Sequence, residues 1–94
     1  MPSYLIETFL PRGAAAERLD RDRRASEAAA ALTREGTNVR FGRSIHVPDD
    51  EVCFFTFEAP SSRDATLVAE RAGLHPYRIV AIDPSMDGGG PEAT

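Results

Sequence analysis

The segment from Val39 to Ala59 limits what this chain can fold into more than any other feature. Two runs of apolar, β-branched and aromatic residues, VRFGRSIHV and EVCFFTFEA, flank the three residues Pro48-Asp49-Asp50. Strand-forming runs on either side of a short turn predict a β-hairpin. The remaining elements of the chain must then be arranged around the sheet that this hairpin begins.

Two segments that flank the hairpin have the composition of helices. Residues 14–35 are rich in Ala, Arg and Glu, which favour helix formation. The beginning of this helix, RLDRDRR, is expected to be solvated and offers only Leu19 as an apolar anchor. The second helix starts after Ser61, a capping residue, and stops before Gly73 and Pro76. Each helix has an apolar stripe at helical spacing, formed by Ala25, Ala28, Ala29 and Leu32 and by Ala65, Val68, Ala69 and Ala72.

A further strand is expected at each end of the chain, in residues 3–10 and 77–83. The order is then βαββαβ, the ferredoxin-like split βαβ arrangement. Right-handed crossovers place both helices on one face of a four-stranded antiparallel sheet. The predicted fold class is therefore α+β, a ferredoxin-like sandwich formed by residues 1–84, and residues 85–94 are expected to be a disordered tail.

Composition argues against several classes of function. The net charge is −4, from 15 acidic and 11 basic residues, so the basic surface of a nucleic-acid-binding protein is not expected. No apolar run approaches the roughly 18 residues that a membrane span needs, and the N-terminus does not resemble a signal peptide. The single cysteine, Cys53, excludes an internal disulfide framework and is expected to be a small buried hydrophobe. We therefore expect a cytoplasmic protein that binds neither nucleic acid nor membrane.

The register of the hairpin predicts which side chains face away from the helices. With Val47 opposite Glu51, alternate residues form an apolar set that packs under the helices and a mixed set on the other face. That helix-free face is expected to carry Glu7, beside Leu5 and Phe9 of the first strand. Phe54 of the hairpin and Val80 or Ile82 of the last strand are expected on the same face. This is too much apolar surface to stay in water beside charged groups, so either a partner sheet packs there or the face is a ligand pocket. The hairpin pairs expected on it are His46–Val52, Ser44–Phe54, Gly42–Thr56 and Arg40–Glu58.

Several short motifs resemble one known family. They are the opening YLIETFLP, RSxxVP at 43–48, FEAPS at 57–61, and ERAGL at 70–74 followed by RIV at 78–80. In combination these motifs, which extend over nearly all of 3–83, are similar to a small bacterial ferredoxin-like family that includes a nickel-binding protein and many members of unassigned function. The resemblance implies a homodimer, assembled like a dimeric α+β barrel, and does not imply one activity.

The candidate ligand-binding residues all come from the predicted helix-free face. Glu7, Arg40 and Glu58 are expected to lie near one another there. Metal binding is expected to be weak, because nickel favours imidazole ligands and His46 and His75 are not at ligand spacing. His46, near the tip of the hairpin, is the candidate metal ligand. The full set of ligand-binding candidates is Glu7, Arg40, Ser44, Phe54, Thr56 and Glu58.

Three classes of function fit these residues. A binding module would hold a metal ion or a small polar ligand in a cleft between the sheets of a homodimer. A cofactor-free isomerase, cyclase or monooxygenase would use Arg40, Glu7, Glu58 and His46 for acid–base chemistry and anion positioning. A structural or regulatory dimer would fill the face with side chains. Because the chain has no GxGxxG, P-loop, CxxC, GxSxG or HExxH motif, the sequence places the binding module first and identifies no reaction or cofactor.

Overall fold

Four strands and two helices form the part of the chain that the computed structural model describes, residues 1–83. The strands are β1 (Ser3–Phe9), β2 (Arg40–Val47), β3 (Val52–Glu58) and β4 (Arg78–Ile82). The helices are α1 (Glu17–Arg34), between β1 and β2, and α2 (Ser62–Arg71), between β3 and β4. The sheet is antiparallel in the order β2-β3-β1-β4. The predicted ferredoxin-like α+β fold is confirmed, and the predicted tail, residues 85–94, lies outside the described residues.

The core lies between the helices and one face of the sheet. Phe55 and Phe57 of β3 and Ile6 of β1 are almost completely buried there. Every residue of the two predicted helical stripes is also buried. Because most of these helical residues are alanines, the helices approach the sheet closely and the large strand side chains fill the space between them.

The first half of α1 is held to the sheet by arginines. Leu19, the predicted anchor, is 78% exposed, so that prediction is wrong. Arg18 donates from Nε to Ser44 Oγ at 2.9 Å and from a terminal nitrogen to Ser44 O at 3.0 Å. Arg21 donates to Phe9 O at 2.9 Å. A guanidinium group on a long aliphatic stem can cover apolar surface and also satisfy strand carbonyl groups, so the charged run RLDRDRR is only partly solvated.

The hairpin contains a β-bulge that the sequence analysis did not predict. At its open end β2 pairs with β3 as expected, with Arg40 opposite Glu58 and Phe41 opposite Phe57. Ser44 then lies opposite Phe55 and not Phe54. Two residues of β2 therefore face one residue of β3, and every later residue of β2 exchanges faces with respect to the prediction.

The bulge turns Ser44 and His46 away from the helix-free face. Ser44 is 5% exposed and lies under α1. His46 lies opposite Cys53, and its Nε2 is 3.2 Å from Leu10 O. Ile45, which the assumed register places opposite Cys53 on the core side, lies opposite Phe54 on the helix-free face. The predicted placement of Ser44 and His46 is wrong because simple alternation along a strand contains no allowance for an extra residue.

Thr56 and Gly42 make the bulge possible. The backbone N–H of Arg43 donates to Thr56 Oγ1 at 3.0 Å, and this hydroxyl donates in turn to Arg43 O at 3.4 Å. One side chain thus satisfies both backbone groups that the bulge removes from the regular ladder. A Cβ atom at Gly42 would overlap the same hydroxyl oxygen, so any larger residue there would force the Thr56 side chain or the bulge to shift.

Replacing Gly42 with alanine is expected to lower the free energy of unfolding by about 1–3 kcal/mol, because the added methyl group forces Thr56 or the bulge to move. Urea denaturation measures the change. Gly13→Ala is the matched control, since a Cβ atom there would meet no atom within 4 Å, and its effect should stay within about 0.5 kcal/mol. Equal stability of the two variants would contradict the tight contact at Gly42.

No helix within residues 1–83 is long and apolar enough to cross a membrane.

Candidate functional site

The helix-free face of the sheet divides into an apolar half and a polar half. The apolar half lies towards the hairpin turn, and two of its large side chains are well exposed, Phe9 at 57% and Ile45 at 40%. The polar half lies at the other end of the same strands. The apolar side chains of this half are Phe9, Ile45, Val47, Val52 and Phe54, and the Glu7–Arg78 ion pair lies beside Phe54 on the same part of the face. The polar half contains Ser3, Arg40, Arg43, Thr56 and Glu58.

A hollow of about 250 Å³ occupies the polar half. It lies at the bulge, where Gly42 contributes no side chain to fill the surface. All four strands contribute to its lining, so its shape depends on the register of the whole sheet. Its principal lining residues are Ser3, Arg40, Arg43, Thr56, Glu58 and Ile82.

Two arginines and one carboxylate determine the charge of the hollow. Arg40 Nη1 lies 3.6 Å from Glu58 Oε1, which forms an ion pair across β2 and β3. Within residues 1–83 the guanidinium of Arg43 has no hydrogen-bond or ion-pair partner, since only its backbone is engaged. The lining side chains therefore carry an excess of positive charge, although the whole chain is acidic with a net charge of −4.

Three of the six predicted ligand-binding residues line the hollow, namely Arg40, Thr56 and Glu58. Phe54 lies on the predicted face but in its apolar half, opposite Ile45. Ser44 lies on the covered face. Arg43 is not among the predicted residues, because an unbroken register would place it opposite Phe55 on the helix side.

Glu7 is on the helix-free face, as predicted, but not beside Glu58. Four residues of strand, roughly 13 Å, separate their positions along the sheet. Each carboxylate has its own arginine. Glu7 Oε1 lies 3.7 Å from Arg78 Nε, and Glu58 pairs with Arg40. The predicted cluster of two carboxylates around Arg40 is therefore wrong, and the face carries two separate ion pairs.

His46 does not have the neighbours that a metal site needs. Its ring lies on the helix side of the sheet, with Nε2 against the carbonyl oxygen of Leu10. Within residues 1–83, no three side chains of His, Cys, Asp or Glu come together in a group able to hold a metal ion. The geometry thus gives no support to a metal centre at His46.

A second set of polar groups lies under α1, on the covered face. Thr8 Oγ1 donates to Cys53 O at 2.8 Å and lies 3.4 Å from a guanidinium nitrogen of Arg21. Burial raises the pKa of the Cys53 thiol, and this effect exceeds the opposing influence of the Arg18 and Arg21 guanidinium groups. Cys53 is completely buried, so this set holds α1 on the sheet and does not present a site to solvent.

The spacing of these arginines contained a signal that the sequence analysis missed. Arg18 and Arg21 continue the stripe of α1 backwards from Ala25 at helical spacing, so they lie on its covered side. A polar residue on an otherwise apolar stripe predicts a buried partner. Arg21 finds its partner in Phe9 O. The partner of Arg18, Ser44, is distant in sequence and is brought into place only by the bulge.

Comparison with known proteins supports the fold. No family model matches this chain, and no curated protein matches it. The chain is similar to the crystal structure of SCO4226 from Streptomyces coelicolor A3(2), with a TM-score of 0.63 and 22% sequence identity. The similarity covers 85% of this chain and 94% of that chain. At this level of identity it shows a shared ferredoxin-like fold and no shared function.

We expect Cys53 to react with N-ethylmaleimide about 100-fold more slowly in the folded protein than in guanidinium chloride. The reacting species is an exposed thiolate, and in the folded protein the Cys53 thiol is buried. Following the loss of free thiol near neutral pH measures both rates. Ser26→Cys, on the exposed side of α1, provides the matched control and should react quickly in the folded protein. Similar rates for Cys53 in the folded and unfolded protein would show that the polar set under α1 is open to solvent.

Proposed function

We propose that this protein is a small homodimeric module that binds a ligand in the hollow on the helix-free face. The observation that supports it best is the way the hollow is formed. A bulge, which requires Gly42 and the Thr56 hydroxyl, opens the surface where polar groups of β2 and β3 converge. Bulges and strand glycines often occur where a ligand approaches the backbone. Because the hollow is smaller than the usual range of about 300–1,000 Å³, the ligand should be small.

The apolar half of the same face supports the proposed homodimer. Phe9 and Ile45 are large, exposed and adjacent to Phe54 and Val52, and such a patch is unfavourable in water. Full burial of one side chain of this size contributes roughly 1.5–3 kcal/mol. A second copy is the proposed partner because two-fold symmetry brings a patch against itself, and its sheet would shield the neighbouring hollow.

The lining charges favour a binding module over the alternatives. A metal ion is a poor ligand for a hollow in which two arginines outnumber one carboxylate. The cofactor-free enzyme needs an acid or base shielded from water. The one carboxylate of the hollow, Glu58, is already engaged by Arg40 at 3.6 Å, so it is not a free acid or base facing a substrate. We also propose a cytoplasmic location, which suits a chain whose single cysteine forms no disulfide.

The protein is expected to be a dimer at micromolar concentration in sedimentation equilibrium. Phe9→Glu should shift it towards the monomer, because the added charge would have to be buried between the sheets. Leu19→Glu is the matched control, since Leu19 is 78% exposed on the outer side of α1, and it should remain a dimer. A monomeric wild type, or equal dissociation of both variants, would contradict the proposed interface.

The hollow is expected to bind at least one of two small probes of the same shape, benzoate and benzamide, because its wall combines polar groups with the apolar side chain of Ile82. When each probe is added to the isotope-labelled protein, the backbone amide resonances of Arg43 and Thr56 should shift most. Thr66, on the partly exposed side of α2, should not move. If neither probe shifts the resonances around the bulge, the proposal of a ligand-binding hollow fails.

A further inference from the structure

We infer that the hollow binds a small organic carboxylate, held by the guanidinium of Arg43. This inference rests on the proposed function and adds to it the chemical class of the ligand. Arg40 already has an anionic partner in Glu58, at 3.6 Å. Arg43 has none within residues 1–83, so one positive charge of the hollow is available to a ligand.

The bulge is the reason that Arg43 reaches the hollow. In an unbroken register Arg43 would lie opposite Phe55, on the helix side of the sheet. With the bulge, Gly42 and Arg43 together face Thr56, and Arg43 lines the hollow. The Thr56 hydroxyl also fixes the backbone of Arg43 at both its N–H and its carbonyl group. Because the backbone from which this side chain projects is held in place, the guanidinium loses less conformational freedom when it binds an anion.

A partner sheet would make an unpaired Arg43 costly. If a second copy covers the apolar half, the adjacent hollow becomes less accessible to water. A guanidinium that loses water without gaining an acceptor is unfavourable. A carboxylate supplies that acceptor, whereas a cation or a purely apolar ligand does not.

The shape and lining of the hollow favour a carboxylate on an apolar body. The planar fork of a guanidinium matches the two oxygens of a carboxylate. One unpaired arginine balances one negative charge. Ile82 contributes apolar surface to the same hollow, against which a short hydrocarbon or aromatic group would pack.

Benzoate and benzamide test the inference, since they share a shape and differ in charge. The resonance titration should give a dissociation constant for benzoate about tenfold below that for benzamide. In Arg43→Gln the two constants should come within about threefold of each other. Arg34→Gln, which removes an exposed arginine at the end of α1, is the matched control and should keep the preference. Because Arg43 is itself exposed, its variant should keep the wild-type spectrum elsewhere.

Each contrary outcome has a separate meaning. If benzamide binds at the bulge as tightly as benzoate, the carboxylate class is wrong while the ligand-binding hollow stands. If benzoate is preferred but Arg43→Gln keeps that preference, Arg43 is not the residue that holds it, and the inference is overturned. If neither probe binds, the proposed function itself fails. Added sodium chloride should weaken the binding of benzoate more than the binding of benzamide. An equal effect on both affinities would also contradict the charge argument.

Discussion

The hydroxyl of Thr56 holds the backbone of Arg43 at both ends, and the arrangement of both sheet faces depends on this contact. It allows β2 to carry one extra residue while both backbone groups of Arg43 keep a partner. The resulting shift turns Ser44 inwards, where it accepts two hydrogen bonds from Arg18. The same shift turns Arg43 outwards into the hollow. How α1 is held and how the proposed binding face is formed are therefore consequences of one bulge.

Much of the fold could be predicted because its signals are local. The alanine stripes, the Ser61 cap and the hairpin runs each depend on residues that are close in sequence. Ser61 Oγ indeed accepts from the backbone N–H of Asp64 at 3.2 Å. The bulge could not be predicted in this way, because it depends on a contact between Arg43 and Thr56 across the hairpin. A single extra residue in β2 was enough to make the predicted faces of Ser44 and His46 wrong.

The candidate site was predicted in part for the same reason. Arg40, Thr56 and Glu58 lie at or before the bulge, where the assumed register holds, and all three line the hollow. Arg43 lies within the bulge and was placed on the wrong side. Gly42 was the available signal, since an isolated glycine inside a strand often marks a bulge or a close approach of two chains. Glu7 was placed on the correct face, yet its distance from Glu58 depended on a pairing of β1 with β3 that no local pattern specifies.

Nuclear Overhauser contacts between the backbone protons of β2 and β3 test the central claim most directly. The account predicts that Phe41 contacts Phe57 and that Ser44 contacts Phe55, which leaves Gly42 and Arg43 together opposite Thr56. It also predicts that Thr56→Val, which keeps the size of the side chain but removes the hydroxyl, weakens this pattern, whereas Thr56→Ser preserves it. An unbroken register in the wild-type protein, with Ser44 opposite Phe54, would contradict the account.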